Sequence, residues 1–198
     1  LPWNDLDTLV ISFSKDVNID KTDLALIGVN VASYDIAGSS FSYDAATFTA
    51  TWTLAAPMEA DKLLIDLDAS SVTDTTPGAL LDGESGAFPS GNGSAGGDFQ
   101  FRFNVVPGDA DQNDTTEAAD ATAVRGLIFA STGDVTFSEA HDLDGSGRID
   151  FLDWAIALTN SANTLPGGNP VPPPSPPAPS SPPLQIFLSQ TGPSTEKP

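Results

Sequence analysis

The chain has 198 residues, 27 acidic against 7 basic side chains, a formal net charge of -20 and no cysteine. That charge repels phosphates, and without a Lys/Arg cluster both nucleic acid and an anionic membrane surface are excluded as partners. The lack of cysteine excludes disulfides, thiolate metal sites and cysteine nucleophiles, and no apolar run approaches the ~20 residues of a membrane span. High acidity often accompanies disorder, but 39% apolar residues, arranged with strand alternation, point to a folded body. Part of the negative charge is suited to a cation. The sequence opens Leu1-Pro2-Trp3 with neither Met nor a signal-peptide pattern, so it is expected to be a processed product or a fragment.

Residues 1–106 read as β structure. Leu9, Ile11 and Phe13 alternate with more polar neighbours, and Phe48, Ala50, Trp52 and Leu54 alternate with Thr49, Thr51 and Thr53. The pattern recurs in Leu63, Ile65 and Leu67 with Asp66 and Asp68 outward, and in Phe99, Phe101, Phe103 and Val105 with Gln100, Arg102 and Asn104 outward. Period-two alternation rich in Thr and aromatics marks antiparallel strands buried on one face. Tyr43–Ala46 is expected to turn a hairpin between Phe41 and Phe48, and weaker strands are expected at Leu24–Val29 and Val31–Tyr34. Gly78–Gly97, rich in Gly, Ser and Asp, reads as a long surface loop. Six or seven short strands in ~105 residues suggest an immunoglobulin-like β-sandwich.

At Pro107-Gly108 the character changes, and residues 107–165 hold two similar units of an acidic loop followed by a helix. Ala121, Val124, Leu127 and Ile128 in the first, and Phe151, Leu152, Ala155, Ile156 and Leu158 in the second, fall at spacings that give each helix one apolar face. Asp142, Asp144, Ser146, Asp150 and Asp153 occupy positions 1, 3, 5, 9 and 12 of a twelve-residue loop. The Arg148 carbonyl stands at position 7, and Gly147 at the sharply turned position 6. Alternate residues of such a loop converge on one centre, and calcium takes six to eight oxygens. Ile149 at position 8 is expected to make a small β contact with the other loop. In the first loop Asp109, Asp111, Asn113, Glu117 and Asp120 supply the same positions, with the Thr115 carbonyl at position 7. Here Asp114 replaces glycine, at a cost of roughly 1 kcal/mol in the left-handed conformation. Two calcium sites are therefore expected, the second the stronger.

The loops start 33 residues apart and share one order of parts. A paired loop-helix unit with Asp120 and Asp153 at position 12, and with a strand rather than an entering helix ahead of the first loop, resembles a dockerin. The junction from Phe101 to Asp111 is also similar to that of large planctomycete-type bacterial surface proteins, in which an immunoglobulin-like repeat runs into dockerin-like calcium loops. Val72–Asp74, Leu81–Glu84 and Phe13–Val17 are similar to segments of those repeats. The resemblance implies a mainly β fold with a small α module, an extracellular or cell-surface location and a cohesin-like partner. In dockerins, positions 10 and 11 help recognise that partner; here they are Ala118-Ala119 and Phe151-Leu152, which match neither each other nor the paired small hydroxyl residues of many dockerins.

Residues 166–198 read as a Pro/Ser-rich linker of polyproline type with a short strand signal, in which Leu184, Ile186 and Leu188 alternate with Gln185, Phe187 and Ser189. Leu184, Ile186, Phe187 and Leu188 are the candidate partner-binding residues, by strand addition to a sheet edge. No catalytic constellation stands out. A Ser-His-Asp triad would have to use His141, the one histidine, which abuts the second loop. The chain reads as a non-catalytic subunit of a surface fibre or layer that binds copies of itself, or alternatively as an adaptor that binds a cohesin-type protein. Trp3 is a candidate sugar-binding side chain, since Trp52 fits the core and Trp154 the helix packing.

Overall fold

A computed structural model describes residues 1–76, 78–84 and 88–172. It is mainly β with two helices. The strands are β1 (Thr8–Ser12), β2 (Val17–Asn18), β3 (Leu24–Gly28), β4 (Ser40–Asp44), β5 (Thr49–Thr53), β6 (Asp61–Leu67), β7 (Thr73–Asp74) and β8 (Phe99–Val105). The helices α1 (Ala118–Gly126) and α2 (Phe151–Thr159) follow. The strands form two three-stranded antiparallel sheets, β1-β5-β4 and β3-β6-β8, with β2-β7 as a small pair. One apolar core, with Leu9, Ala50 and Trp52 from the first sheet and Leu24, Leu26, Leu63, Ile65, Leu67 and Val105 from the second, joins their inner faces.

The alternation read from the sequence accounts for that core. On β5, Trp52 has no exposed surface, stands opposite Leu9 and Phe41 in register, and tilts against Phe41 at 5.0 Å. Its indole N–H, which would be costly to bury unpaired, donates to the Lys21 carbonyl at 3.0 Å. On β6, Leu63, Ile65 and Leu67 face Phe103, Phe101 and Phe99 of β8. Alternation fails at Leu64, fully buried on the opposite face with Ile27 and Arg102 in register. The chain beyond residue 165 lies along that face: Arg102 Nη1 donates to the Pro170 carbonyl at 2.8 Å and Lys62 Nζ to the Gly168 carbonyl at 3.3 Å. Pro170 is itself buried, so the start of the Pro-rich stretch rests on its own sandwich. Leu184, Ile186, Phe187 and Leu188 lie outside the described residues.

Three expectations are corrected. Val31–Tyr34 is not a strand. The buried carboxylate of Asp61 accepts from the backbone N–H groups of Val29, Asn30, Val31 and Lys62 at 2.8–3.0 Å, which turns the chain away. Gly28 is required beside it, since any Cβ there would collide with that carboxylate. The hairpin turn falls after Asp44 rather than at Tyr43–Ala46, because Asp44 accepts from the Ala46 N–H at 2.9 Å and the Thr47 hydroxyl at 2.8 Å. Phe48 thereby leaves the strand for a left-handed conformation, φ 55°. The short β2-β7 pair had no periodicity to betray it, being two residues per strand.

The helical unit has its own small core, Ala110, Ala121, Val124, Ala130, Leu143, Ile149, Ile156 and Ala157, with Leu127, Phe137 and Trp154 against it. Half of those eight residues are alanines, which bury little apolar surface. Residues 1–4 cross from the sandwich to this unit. Val106 and Gly108 donate backbone N–H groups to the carbonyls of Leu1 (2.9 Å) and Pro2 (2.7 Å), and Asn4 N–H donates to Leu143 O at 2.8 Å. Trp3, the candidate sugar-binding residue, has its indole N–H on the Glu139 carbonyl at 3.0 Å.

Candidate metal centre

Each acidic loop brings three carboxylates together: Asp109, Asp111 and Asp120 in the first, Asp142, Asp144 and Asp153 in the second, with ligand oxygens within 4.8 Å of one another in each set. In both, the residues at positions 1 and 12 are buried and the one at position 3 is exposed. Like charges this close repel, so the loops must be held by something else. Backbone N–H groups do this. In the second loop Asp142 accepts from Ser146 (3.0 Å) and Gly147 (2.8 Å), and Asp153 from Leu143 (2.7 Å), Asp144 (3.2 Å) and Asp150 (2.7 Å). In the first, Asp109 accepts from Asn113 (3.0 Å) and Asp114 (2.9 Å), and Asp120 from Asp111 (3.0 Å) and Glu117 (2.8 Å).

The remaining candidate ligands surround these sets. Asn113 Nδ2 reaches Asp111 Oδ2 at 3.1 Å and Glu117 Oε1 at 3.5 Å, while its Oδ1 accepts from Thr115 N–H at 3.0 Å. Ser146 Oγ lies 3.4 Å from Asp142 Oδ1 and 3.1 Å from the Arg148 carbonyl. Asp150 instead caps α2, its carboxylate accepting from Leu152 N–H at 2.7 Å. Burial, reinforced by the neighbouring carboxylates, raises the pKa values of Asp109 and Asp142 above that of an ordinary aspartate. A multivalent cation would remove that penalty. The donors are hard oxygens without imidazole or thiolate, a set that suits calcium rather than zinc or copper. Two acidic clusters can therefore hold metal ions.

Position 12 also sets each helix's rotation. Asp153 must point into the cluster, so the inward face of α2 is Asp153, Ile156 and Ala157. In α1 it is Asp120, Ala121 and Val124. The expectation of one apolar face is corrected for α2, where Phe151, Leu152 and Leu158 are 62%, 55% and 47% exposed; in α1, which ends at Gly126, Ala121 and Val124 face the core, with Leu127 just beyond packed against it. Phe129, also exposed, meets Phe151 edge-on at 6.2 Å.

The role expected of Ile149 is corrected too. It does not pair with the other loop; its N–H donates to Ala130 O, and its carbonyl accepts from Phe129 N–H, each at 2.8 Å. The first loop does the same one repeat away, with Thr116 exchanging bonds with Asn163 and Ala162, also at 2.8 Å. Each loop is thus clamped to the segment that follows the other loop's helix, and the bridges Thr115–Thr164 and Ser131–Arg148 complete the pseudo-symmetry. The loops differ in backbone cost. Position 6 is left-handed in both, as Asp114 (φ 76°) and Gly147 (φ 81°), and so is position 4, as Gln112 (φ 60°) and Gly145 (φ 70°). The first loop therefore carries two non-glycine residues where glycine is favoured. Position 4 was not anticipated, although the Gly145/Gln112 pairing stands in the aligned loops.

His141 has Nδ1 2.9 Å from Ser138 Oγ, and burial holds its pKa below the usual value against the opposing pull of Asp120 and Asp111 of the first cluster. No helix among the described residues is long and apolar enough to cross a membrane.

No family model matches the chain, and no curated protein matches it. Among solved structures it is similar to an N-terminal interface mutant of a type II cohesin–X-dockerin complex from Acetivibrio cellulolyticus, with 12% identity, 80% of this chain and 97% of that one covered, and a TM-score of 0.29. A C-terminal interface mutant of the same type of complex matches at 10% identity, the same coverages and the same TM-score. A TM-score of 0.29 is too low to show a shared fold.

Proposed function

We propose that this chain is a non-catalytic, extracellular structural module that binds two calcium ions, and that it serves as a subunit of a surface fibre or layer. The carrying observation is the pair of pseudo-symmetric three-carboxylate clusters, each built into a loop that also clamps the small core of residues 107–165. On this reading the sandwich is immunoglobulin-like and the helical unit dockerin-like, and calcium locks the unit in place. At millimolar calcium and a micromolar dissociation constant, linkage adds about 4 kcal/mol per site, enough to decide whether so small a core stays folded. Calorimetric titration should give two sites, and a chelator should melt residues 107–165 while leaving the sandwich folded. A melting curve indifferent to chelator would refute it.

A second reading, an adaptor that binds a cohesin-type protein, is favoured by a different observation: the exposed patch of Phe129, Phe151, Leu152 and Leu158. Such patches mark protein contacts, and two of these residues stand at the loop positions that the dockerin resemblance links to partner recognition. A pull-down with cohesin modules, repeated with Phe151→Ser and Leu152→Ser, separates this reading from self-assembly.

A further inference from the structure

Residues 1–5 form a strap that ties the second acidic loop to the sandwich. At one end Leu1 brackets Val105 at the close of β8: its N donates to the Asn104 carbonyl at 2.7 Å, and its carbonyl accepts from Val106 N–H at 2.9 Å. At the other end the carbonyls of Leu6 and Asp7 accept from Met58 N–H (2.7 Å) and Leu54 N–H (2.8 Å) of the sandwich. Between these anchors the strap holds the second loop on both sides of Asp142. The Trp3 indole N–H is on the Glu139 carbonyl at 3.0 Å, three residues before that ligand. Asn4 N–H is on the Leu143 carbonyl at 2.8 Å, one residue after it. Asp5, left-handed at φ 56°, then turns the chain back.

The contact at Leu143 reaches a candidate ligand oxygen through a single peptide group. The Leu143 carbonyl and the Asp144 N–H belong to one peptide; the first accepts from Asn4, and the second donates to Asp153 Oδ1 at 3.2 Å. The same Oδ1 takes the Leu143 N–H at 2.7 Å, and the Leu143 side chain is fully buried in the core of the helical unit. Asn4 N–H, this peptide and Asp153 thus form a chain of hydrogen bonds in which each polarises the next. It fixes the backbone between loop positions 1 and 3 against the carboxylate at position 12. The first loop is not held in this way: among the described residues the equivalent carbonyl, of Ala110, accepts nothing from residues 1–5, and the bond from Gly108 N–H to the Pro2 carbonyl stands ahead of Asp109. We propose that Trp3 and Asn4 are positioning residues of the second calcium site, through which the sandwich holds that loop ready for the ion and the ion in turn tightens the strap. This rests on the calcium reading above. The joint between sandwich and helical unit then stiffens with occupancy of the second site and not of the first.

The test separates the two sites in the full chain. Asp111→Ala, at the exposed position 3 of the first loop, leaves the second site, and Asp144→Ala leaves the first. Calcium titration calorimetry is run in each background with and without Asn4→Pro, which removes the donating N–H, or Trp3→Ala, which removes the anchor on Glu139. In the Asp111→Ala background each strap variant should weaken calcium binding about tenfold, the effect of one hydrogen bond of about 1.4 kcal/mol. In the Asp144→Ala background the change should stay under about twofold, as for a distant site with no shared partner. Amide hydrogen exchange reads the same coupling with the strap intact. Because coupling is reciprocal, calcium in the second site should slow exchange at Asn4 about tenfold more than calcium in the first. Equal losses at both sites would make the strap a general support of the helical unit and overturn the proposal. Unchanged affinities, or Asn4 exchange indifferent to which site is filled, would overturn it as well. A parent chain that binds no calcium would refute the calcium reading and this inference together; one that binds two ions with the strap uncoupled would refute this inference alone.

Discussion

Asp153→Ala separates the structural and metal-binding roles of the position-12 carboxylate. Asp153 is fully buried and accepts three backbone N–H groups. Removing it strands those donors, at about 1 kcal/mol or more each, so roughly 3 kcal/mol is lost without calcium. With calcium the second site is lost as well, a further ~4 kcal/mol at a thousandfold excess over the dissociation constant. Asp144→Ala is the control. Asp144 is exposed and accepts Ser146 N–H at 3.0 Å, so it should lose at most about 1 kcal/mol in chelator while forfeiting the same calcium increment. Differential scanning calorimetry reads both, with the sandwich transition as an internal reference, at about 4–8 °C per kcal/mol for a unit of this size. In chelator the order should be parent, then Asp144→Ala close behind, then Asp153→Ala well below. In calcium both variants should fall far under the parent. An Asp153→Ala protein that keeps the parent's calcium-induced shift, or an Asp144→Ala protein as unstable in chelator as Asp153→Ala, would refute the reasoning.

Asp114→Gly and Gln112→Gly should each relieve left-handed strain in the first loop, offset in part by glycine's greater unfolded entropy. A net gain of up to about 1 kcal/mol is expected, visible as a rise of the helical unit's transition; no rise in either would show the loop unstrained. Asp61→Ala leaves four backbone donors without their acceptor and should lower the sandwich's stability by roughly 3–5 kcal/mol in urea, leaving the calcium titration unchanged. The pH response should invert with calcium. The raised pKa values of Asp109 and Asp142 mean that their protonated forms favour folding: that contribution is complete below the ordinary pKa near 3.8 and is lost as pH rises through the raised ones. Without calcium the helical unit should thus lose stability from these groups as pH rises, whereas with calcium, which needs the carboxylates ionised, it should gain. Melting curves across pH with and without chelator check the sign.

Much of the fold and both acidic clusters were legible because their signals are local. Period-two alternation located β1, β5, β6 and β8, since burying one face of a sheet leaves a regular trace in the chain. The loop ligands were legible for the same reason: positions 1, 3 and 12 converge through the loop's own geometry. Where the expectations failed, a distant group had taken over. Asp61 redirected residues 29–31 from thirty positions away, and Ile149 found its partner in the segment after α1 instead of the other loop.

The sequence by itself determined that the chain is β followed by a duplicated acidic loop-helix, that cysteine chemistry is absent, and that the first loop is the more strained. Tertiary structure decided which side of each helix is buried, because the position-12 aspartate must turn inward and carries the helix with it, leaving Phe151 and Leu152 in solvent. It also decided that the outer face of the β3-β6-β8 sheet is held against the chain beyond residue 165, through Arg102 and Lys62. Neither fact leaves a periodic trace, since each depends on which distant segment comes to lie against an otherwise ordinary strand.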